Sequence, residues 1–190
     1  MKKFLFSKIL VVFLTLFGFN LGVSAQTGVF NKGDMAINAG VGIGAYINHN
    51  NPDYTFSMTI PPITGSFEYG ILDQLIDGQA SIGIGGYAGY ILFRGNSRSP
   101  NNGNGFNVGD FVIGPRGLFH YQFVDKLDTY AGFMLGYDIV SFSQPNGSSG
   151  SKFCPAIFIG ARYYIIDNIG FFGELGYGVS PLQLGLCYKF

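Results

Sequence analysis

Four charged residues of the chain are the first candidates for chemistry: the carboxylates Glu68 and Glu174 and the guanidinium groups Arg116 and Arg162. Each lies in a stretch where apolar and small or polar residues alternate, and the period of two places all four on the less apolar face. A carboxylate pair is the usual equipment of general acid/base catalysis. Arginine partners would hold both carboxylates ionised, however, and buried charges persist in proteins when they are paired. We therefore expect an interior network of Arg–Glu contacts that fills a narrow space, and we expect no enzyme.

The two histidines, His49 and His120, do not suggest a metal site. His49 falls in a predicted loop and His120 on the inward face of a predicted strand, and neither has a cysteine or carboxylate at ligand spacing. His49 and Ser57 are the only residues resembling an acyl-transfer pair, and no motif supports them. We predict neither a metal nor a cofactor.

The two cysteines and the glycine runs are equally uninformative about catalysis. Cys154 and Cys187 face inward at opposite ends of their strands, too far apart for a disulfide, so we expect free thiols. The runs at 40–44 and 83–86 are not followed by a helix, which a phosphate-binding loop of that kind requires.

The elements that must position these residues are strands. Alternation over roughly 10 residues is enough for a tilted transmembrane strand, and no helical period appears after residue 25. The pattern predicts an all-β fold, a transmembrane up-and-down antiparallel β-barrel of about eight strands, in one domain at 26–190. The first strand is expected to alternate from 34 to 47, and the others are expected at 56–69, 79–93, 108–122, 129–142, 153–165, 169–179 and 182–190.

Turn residues divide the connectors into two classes. Connectors at 48–55, 94–107 and 143–152 are rich in Asn, Gly, Ser and Pro, whereas those at 70–78, 123–128 and 166–168 are mostly shorter and carry Asp. Long loops on one side and short turns on the other are typical of outer-membrane barrels, with the long loops outside. Pro61-Pro62 interrupts the second strand and predicts a bulge or a register shift; a soluble β-sandwich is the rival fold.

Aromatic residues on the apolar face are expected to form two belts at the membrane interfaces, around an aliphatic band. The outer belt would contain Phe56, Tyr90, Phe111, Tyr137, Phe153 and Tyr177. The periplasmic belt would contain Phe67, Tyr69, Phe119, Tyr121, Tyr163, Phe171, Tyr188 and Phe190.

Residues 1–25 have the features of a secretory signal peptide. Three lysines precede an apolar run at 9–19, and Val23-Ser24-Ala25 provides small residues before a cut after Ala25. The run is short for a membrane anchor, which needs roughly 20 residues. Its removal leaves a net charge of −3, since the segment holds three of the eleven Lys and Arg residues and no acidic residue. That charge argues against a nucleic-acid partner.

The last strand carries the most specific motif of the chain. In 182–190 (LQLGLCYKF), apolar residues alternate with small or polar ones and the chain stops on an aromatic residue. The segment resembles the C-terminal assembly signal of bacterial outer-membrane barrels at Gln183, Gly185, Tyr188 and Phe190. The resemblance implies the barrel assembly machinery as a partner.

Together these features resemble the small eight-stranded bacterial outer-membrane β-barrel family, which includes opacity-type surface proteins. The resemblance covers nearly all of the mature chain, and its most specific internal segments are 114–121 and 130–137. It implies a location in the bacterial outer membrane and contact with outer-membrane lipid. Members include adhesins, structural anchors, conduits and a few enzymes, so the fold does not decide the function. We expect a structural or surface-interaction role with a plugged lumen and an unidentified surface ligand; the alternative is a narrow conduit or binding barrel for small or hydrophobic compounds.

Overall fold

The computed structural model describes residues 29–47, 49–99, 105–143 and 149–190. The predicted signal peptide and its cleavage site lie outside the described residues. No helix in the described part of the chain is long and apolar enough to cross a membrane. The secondary structure consists of eight strands: β1 (Met35–Ile43), β2 (Tyr54–Leu75), β3 (Ala80–Ser97), β4 (Phe106–Val124), β5 (Leu127–Phe142), β6 (Gly150–Tyr164), β7 (Ile169–Tyr177) and β8 (Leu182–Lys189).

The strands form a closed antiparallel barrel in sequence order. Each strand pairs with its neighbours along the chain, and β1 pairs with β8 from Ala36↔Lys189 to Ile43↔Leu182. The β1–β8 pairing is the seam at which the barrel closes. It leaves no free sheet edge, so the backbone N–H and C=O groups along the seam are hydrogen-bonded without water. The predicted all-β, eight-stranded up-and-down barrel is confirmed.

The two faces of the wall have opposite character. Large apolar side chains stand exposed on the outside of every strand, among them Ile37, Leu135, Ile157, Phe171 and Leu186. The inward positions are buried and include the charged residues Glu68, Arg116, Arg162 and Glu174. This distribution is the reverse of that of a soluble barrel, and it excludes the rival soluble sandwich.

The two ends of the barrel differ in their connectors. At the turn end, tight connections at 76–79, 125–126 and 165–168 join the strands, and both ends of the described chain lie there. At the loop end, the connectors are 44–53, 98–105, 143–149 and 178–181.

Two turn-end connectors are shorter than predicted. β2 continues to Leu75, so the expected connector at 70–78 shrinks to a turn in which Ile76, Asp77 and Gly78 have positive φ angles of 48°, 58° and 81°. β5 begins at Leu127, so Asp128 belongs to a strand and not to the expected turn. In both cases cross-strand pairing continues past the turn-forming residues that indicated a loop.

The Pro61-Pro62 interruption is a double register shift. Met58, Ile60 and Ile63 pair with Phe93, Leu92 and Tyr90, so β2 gains one residue over β3 at each of two steps. Because β2 contains two extra residues in total, the residues before and after the interruption follow the same inward–outward alternation. Phe56 therefore points inward and packs against the interior apolar cluster, and its predicted place in the outer aromatic belt is wrong.

β1 is also shorter than its alternation predicts. It ends at Ile43, and Gly44, with a φ angle of 77°, turns the chain away from the sheet. Ile47 is consequently buried inside the barrel, with 5% of its surface exposed, instead of continuing the outer face. A period of two cannot distinguish a strand from an extended segment that enters the lumen.

Candidate functional site: the barrel interior

The turn-end half of the interior contains a cluster of charged side chains centred on Arg162. Its Nη1 donates to Asp128 Oδ2 at 3.0 Å, its Nε donates to Asn38 Oδ1 at 3.0 Å, and its Nη2 donates to Glu68 Oε2. His120 lies between the same two carboxylates, with Nδ1 2.8 Å from Asp128 Oδ1 and Nε2 in contact with Glu68 Oε1. Glu68 and Asp128 thus each contact one guanidinium and one imidazole, an arrangement that compensates buried charge.

A second ion pair lies next to this cluster. Arg116 Nη2 donates to Glu174 Oε1 at 2.7 Å, and the Tyr130 hydroxyl donates to the same oxygen at 2.9 Å. The guanidinium of Arg116 stacks over the Phe158 ring at 3.9 Å. Tyr130 also connects the two clusters, because the guanidinium of Arg162 lies 4.7 Å from the centre of its ring.

The four residues singled out from the sequence therefore lie in two separate groups. Glu68 and Arg162 belong to one, and Arg116 and Glu174 to the other; all four are buried. The alternation of the first strand predicted Asn38 on the less apolar face, whereas Asp128 was expected in a turn and Tyr130 was not singled out as an interior residue. The alternation of β5, in which Asp128 has the same parity as buried Tyr130, is the signal that indicates its position.

Glycines create the space for these side chains. Gly160 faces Tyr130, and a Cβ atom at this glycine would lie 2.5 Å from the Tyr130 Cζ. Gly83 faces Glu68 in the same way. The interior of an eight-stranded barrel is only wide enough for side chains to fill, so a large residue on one strand requires a glycine on the next.

The segment before β1 lies at the turn end of the interior. The Phe30 ring is stacked on His120 with ring centres 4.6 Å apart, and only 2% of Phe30 is exposed. Val29 is held on both sides, since its N–H donates to Gln122 Oε1 and its carbonyl accepts from Lys189 Nζ, both at 2.7 Å. No sequence pattern indicated this segment, because two residues outside a strand carry no period.

The loop-end half of the interior is mainly apolar. Buried residues from β3 to β6 form one cluster with Ile47 of the 44–53 connector and Val179 of the 178–181 connector. The members from the strands are Tyr87, Ile91, Phe93, Phe106, Val108, Val112, Met134, Val140 and Cys154.

His49 and Ser57, the weak acyl-transfer candidates, are not brought together. His49 lies inside the loop end, where its Nε2 is 2.8 Å from Asp110 Oδ2. Ser57 is exposed on β2, opposite Arg94. No group of three His, Cys, Asp or Glu side chains in the described ranges is arranged to hold a metal ion. Cys154 and Cys187 are both buried free thiols.

The residues of the predicted assembly signal lie along the β1–β8 seam. Gln183 is buried and faces the interior, and Gly185 pairs with Gly40. Tyr188 and Phe190 are exposed on the outer surface, with ring centres 5.6 Å apart. The last residue exchanges two backbone hydrogen bonds of 3.0 Å with Met35, so pairing along the seam extends to the end of the chain.

Comparison with known proteins identifies the architecture. No family model matches the sequence, and no curated protein matches it. Among solved structures, the chain is similar to the outer membrane protein OprG from Pseudomonas aeruginosa, with a TM-score of 0.56 and 10% identity over 85% of this chain and 97% of that one. Ail from Yersinia pestis gives a TM-score of 0.49 and 14% identity over 84% of this chain and 99% of that one. At these identities the likeness concerns the fold alone, and the OprG comparison carries it: the chain has the fold of the small eight-stranded outer-membrane β-barrels.

Proposed function

We propose that the protein is an integral outer-membrane β-barrel with a structural or surface-interaction role, and that its lumen does not conduct. The observation that supports this proposal is the interior, where buried side chains of the described residues form successive groups. Phe30, the ion-pair clusters and the apolar cluster follow one another along the barrel axis. We propose no enzymatic activity.

The outer surface supports insertion into lipid. Its exposed apolar side chains would be unfavourable in water, whereas in a bilayer they contact acyl chains. Exposed aromatic residues lie towards both ends, for example Tyr137 and Phe153 at the loop end and Tyr163 and Phe171 at the turn end. We infer that the turn end faces the periplasm, that the signal peptide is cleaved near Ala25, and that the β8 strand is recognised by the barrel assembly machinery.

A cavity of about 20 Å³ lies between the polar and apolar halves, lined by residues that include Tyr87, Arg116, Met134 and Gln183. This volume holds about one water molecule. A continuous water-filled path would require several of the ion-paired or apolar side chains to move together.

Planar-bilayer recording of the refolded mature protein tests the proposal. We expect no steady, large, ion-conducting state in the unmutated barrel. The double variant Phe30→Ala with Arg116→Ala is the positive control, because it removes side chains from two levels of the lumen. Recording it in parallel shows whether the assay detects an opened barrel. A steady, large conductance of the unmutated protein would overturn the closed-lumen proposal.

A second candidate function is the binding of small hydrophobic compounds. It is favoured by the apolar loop-end half, where Ile47 and Val179 are the only cluster members in the described residues that come from connectors and not from the wall. Exchange of these two side chains for a ligand would leave the wall intact. Saturable binding of an uncharged apolar probe by a non-conducting barrel would favour this candidate.

A further inference from the structure

The mouth of the lumen at the loop end holds a histidine inside a box of aromatic rings. The ring centre of His49 lies 5.3 Å from that of Phe93, 5.5 Å from that of Phe56 and 6.2 Å from that of Phe142. Tyr54 and Phe106 extend the aromatic group through edge contacts. Faces of aromatic rings attract cations within about 6 Å of their centres, most strongly where water is excluded.

One carboxylate completes the box, and a second lies near the first. Asp110 on β4 and Asp138 on β5 are both 0% exposed, and Asp110 accepts the contact from His49. Among the described residues, Oδ1 of Asp110 and both oxygens of Asp138 have no hydrogen-bond partner. Asp138 is already paired with a cation, since Lys152 Nζ lies 3.2 Å from its Oδ2 and the Lys152 side chain is 48% exposed.

Buried carboxylate oxygens without donors are rare in folded proteins, because each costs the desolvation of a charged or polar atom. Asp110 lies beside the aromatic rings, because His49, which packs among them, is 2.8 Å from its Oδ2. A buried carboxylate next to aromatic rings favours an organic cation. The His49 imidazole fills this place in the structure, and it is about the size of a trimethylammonium group.

His49 belongs to a connector and not to the wall. The connector leaves β1 at Gly44, and two backbone hydrogen bonds tie its described residues to other connectors: Tyr46 N–H to the Val179 carbonyl at 3.0 Å and Arg98 N–H to the Asp53 carbonyl at 2.9 Å. The five rings and both carboxylates, by contrast, stand on strands β2 to β5. The occupant can therefore be exchanged while the box keeps its shape.

We propose that the loop-end mouth is a binding site for small substituted ammonium ions, and that His49 is its internal, displaceable occupant. The aromatic rings contact the alkyl or aryl substituents, and Asp110 balances the positive charge. This site lies above the ion-pair clusters, so a bound cation leaves the lumen closed. The inference rests on the barrel of the proposed function but not on the absence of conductance.

Isothermal titration of the refolded barrel in detergent tests the site. The probe is benzyltrimethylammonium, with benzyl alcohol as the neutral comparison and phenylacetate as the anionic one. We expect His49→Ala to bind the cation about tenfold more tightly than the unmutated protein, because the internal competitor is gone. His49→Leu, which refills the box with an uncharged side chain, should not gain affinity.

Further substitutions in the His49→Ala variant measure separately how the carboxylate charge and the aromatic rings contribute to cation affinity. Asp110→Asn should weaken cation binding about tenfold, and Phe93→Leu about fivefold, in keeping with the strength of desolvated charge and cation–π contacts. Asp53→Asn is the matched control, since it removes an exposed carboxylate at the same end of the barrel and should have no effect. Equal affinity of His49→Ala for the cation and for benzyl alcohol, or no loss on Asp110→Asn, would overturn the proposal.

A second measurement covers the case in which His49→Ala does not fold. In NMR spectra of the unmutated barrel, benzyltrimethylammonium should shift the His49 ring resonances, and benzyl alcohol at the same concentration should not. Resonances that stay unchanged up to saturating cation would also reject the site. Bilayer recording in the presence of the cation keeps the two proposals distinct. Cation binding by a steadily conducting barrel would overturn the closed lumen alone, and a closed barrel that does not bind the cation would overturn the binding site alone.

Discussion

At the scale of single residues, the two buried arginines differ in how well they are compensated. Arg162 contacts two carboxylates and an amide, whereas Glu174 is the one carboxylate partner of Arg116 among the described residues. Arg116 Nε also lacks a hydrogen-bond partner within the described ranges. The pair Arg116–Glu174 therefore depends on one contact, and the Arg162 cluster does not.

Glu174→Ala is predicted to lower stability more than Glu68→Ala. Removing Glu174 leaves Arg116 as an uncompensated buried cation, a change that costs about 3–5 kcal/mol in other proteins and less where water enters. After loss of Glu68, Arg162 retains Asp128. Urea-unfolding curves of the two variants in the same lipid measure the difference.

Tyr130→Phe serves as the control for that comparison. It removes only the hydroxyl that donates to Glu174, so its effect on the free energy of unfolding should be about 1 kcal/mol. Equal effects of Glu174→Ala and Tyr130→Phe would contradict the proposed importance of the Arg116–Glu174 charge pair.

Gly160→Ala should destabilise the barrel although alanine is the smallest possible change. Its Cβ would overlap the Tyr130 ring, which cannot move without breaking its hydrogen bond to Glu174. Overpacking of this kind costs about 1–3 kcal/mol. Gly86→Ala is the matched control, because a Cβ there meets no atom within 4 Å; a thermal melt that shows the same midpoint for both variants would refute the steric argument.

At the scale of elements, the β1–β8 seam determines whether the barrel closes. β8 pairs with β1 along its length, and the backbone of Phe190 completes the seam at Met35. The side chains of Tyr188 and Phe190, by contrast, lie on the surface. Their contribution to the finished barrel is therefore small, and their proposed importance is in assembly.

Changing Tyr188 and Phe190 to Ser should block assembly more than it weakens the folded barrel. We expect unfolded protein to accumulate in the periplasm, while protein refolded in detergent melts near the unmutated midpoint. Heat-modifiable mobility on gels distinguishes folded from unfolded protein in cell fractions.

Tyr163→Ser with Phe171→Ser is the matched control for the assembly experiment. These residues are also aromatic, exposed and paired across neighbouring strands, but they lie outside the last strand. Normal levels of folded barrel in the β8 variant, or equal losses in both variants, would exclude a specific recognition role for Tyr188 and Phe190.

At the scale of the whole molecule, the asymmetry of the connectors predicts an orientation in the membrane. Turns of two to four residues join the strands at one end, and the connector 98–105 is among the longer ones at the other end. An exposed connector is the preferred site of proteolysis. The strands flanking it extend further than a bilayer requires, with 18 residues in β3 and 19 in β4, against roughly 10 for a span.

Proteinase K added to intact cells should therefore cut within 98–105 and leave the turn at 76–79 intact. Mass spectrometry of the fragments locates the cut, and permeabilised cells provide the control in which both ends are accessible. Protection of 98–105 together with cleavage at 76–79 would show that the barrel has the opposite orientation.

The sequence by itself determined the architecture, because alternation is a local property. A period of two, an even number of strands and turn residues between them predict a closed barrel, and the parity of each strand places Glu68, Arg116, Arg162 and Glu174 on the inward face. Parity within one strand does not depend on its partners, so it can be read without a structure.

Only the tertiary structure decided which inward residues meet. The height of a side chain in the barrel depends on the shear between strands, and shear is set by register shifts such as those at Ile60 and Ile63. The same applies to the chain segments outside the strands: Phe30 reaches His120, and His49 reaches Asp110, through turns that have no sequence period. Contacts between segments far apart in sequence arise from barrel closure, and no local pattern specifies them.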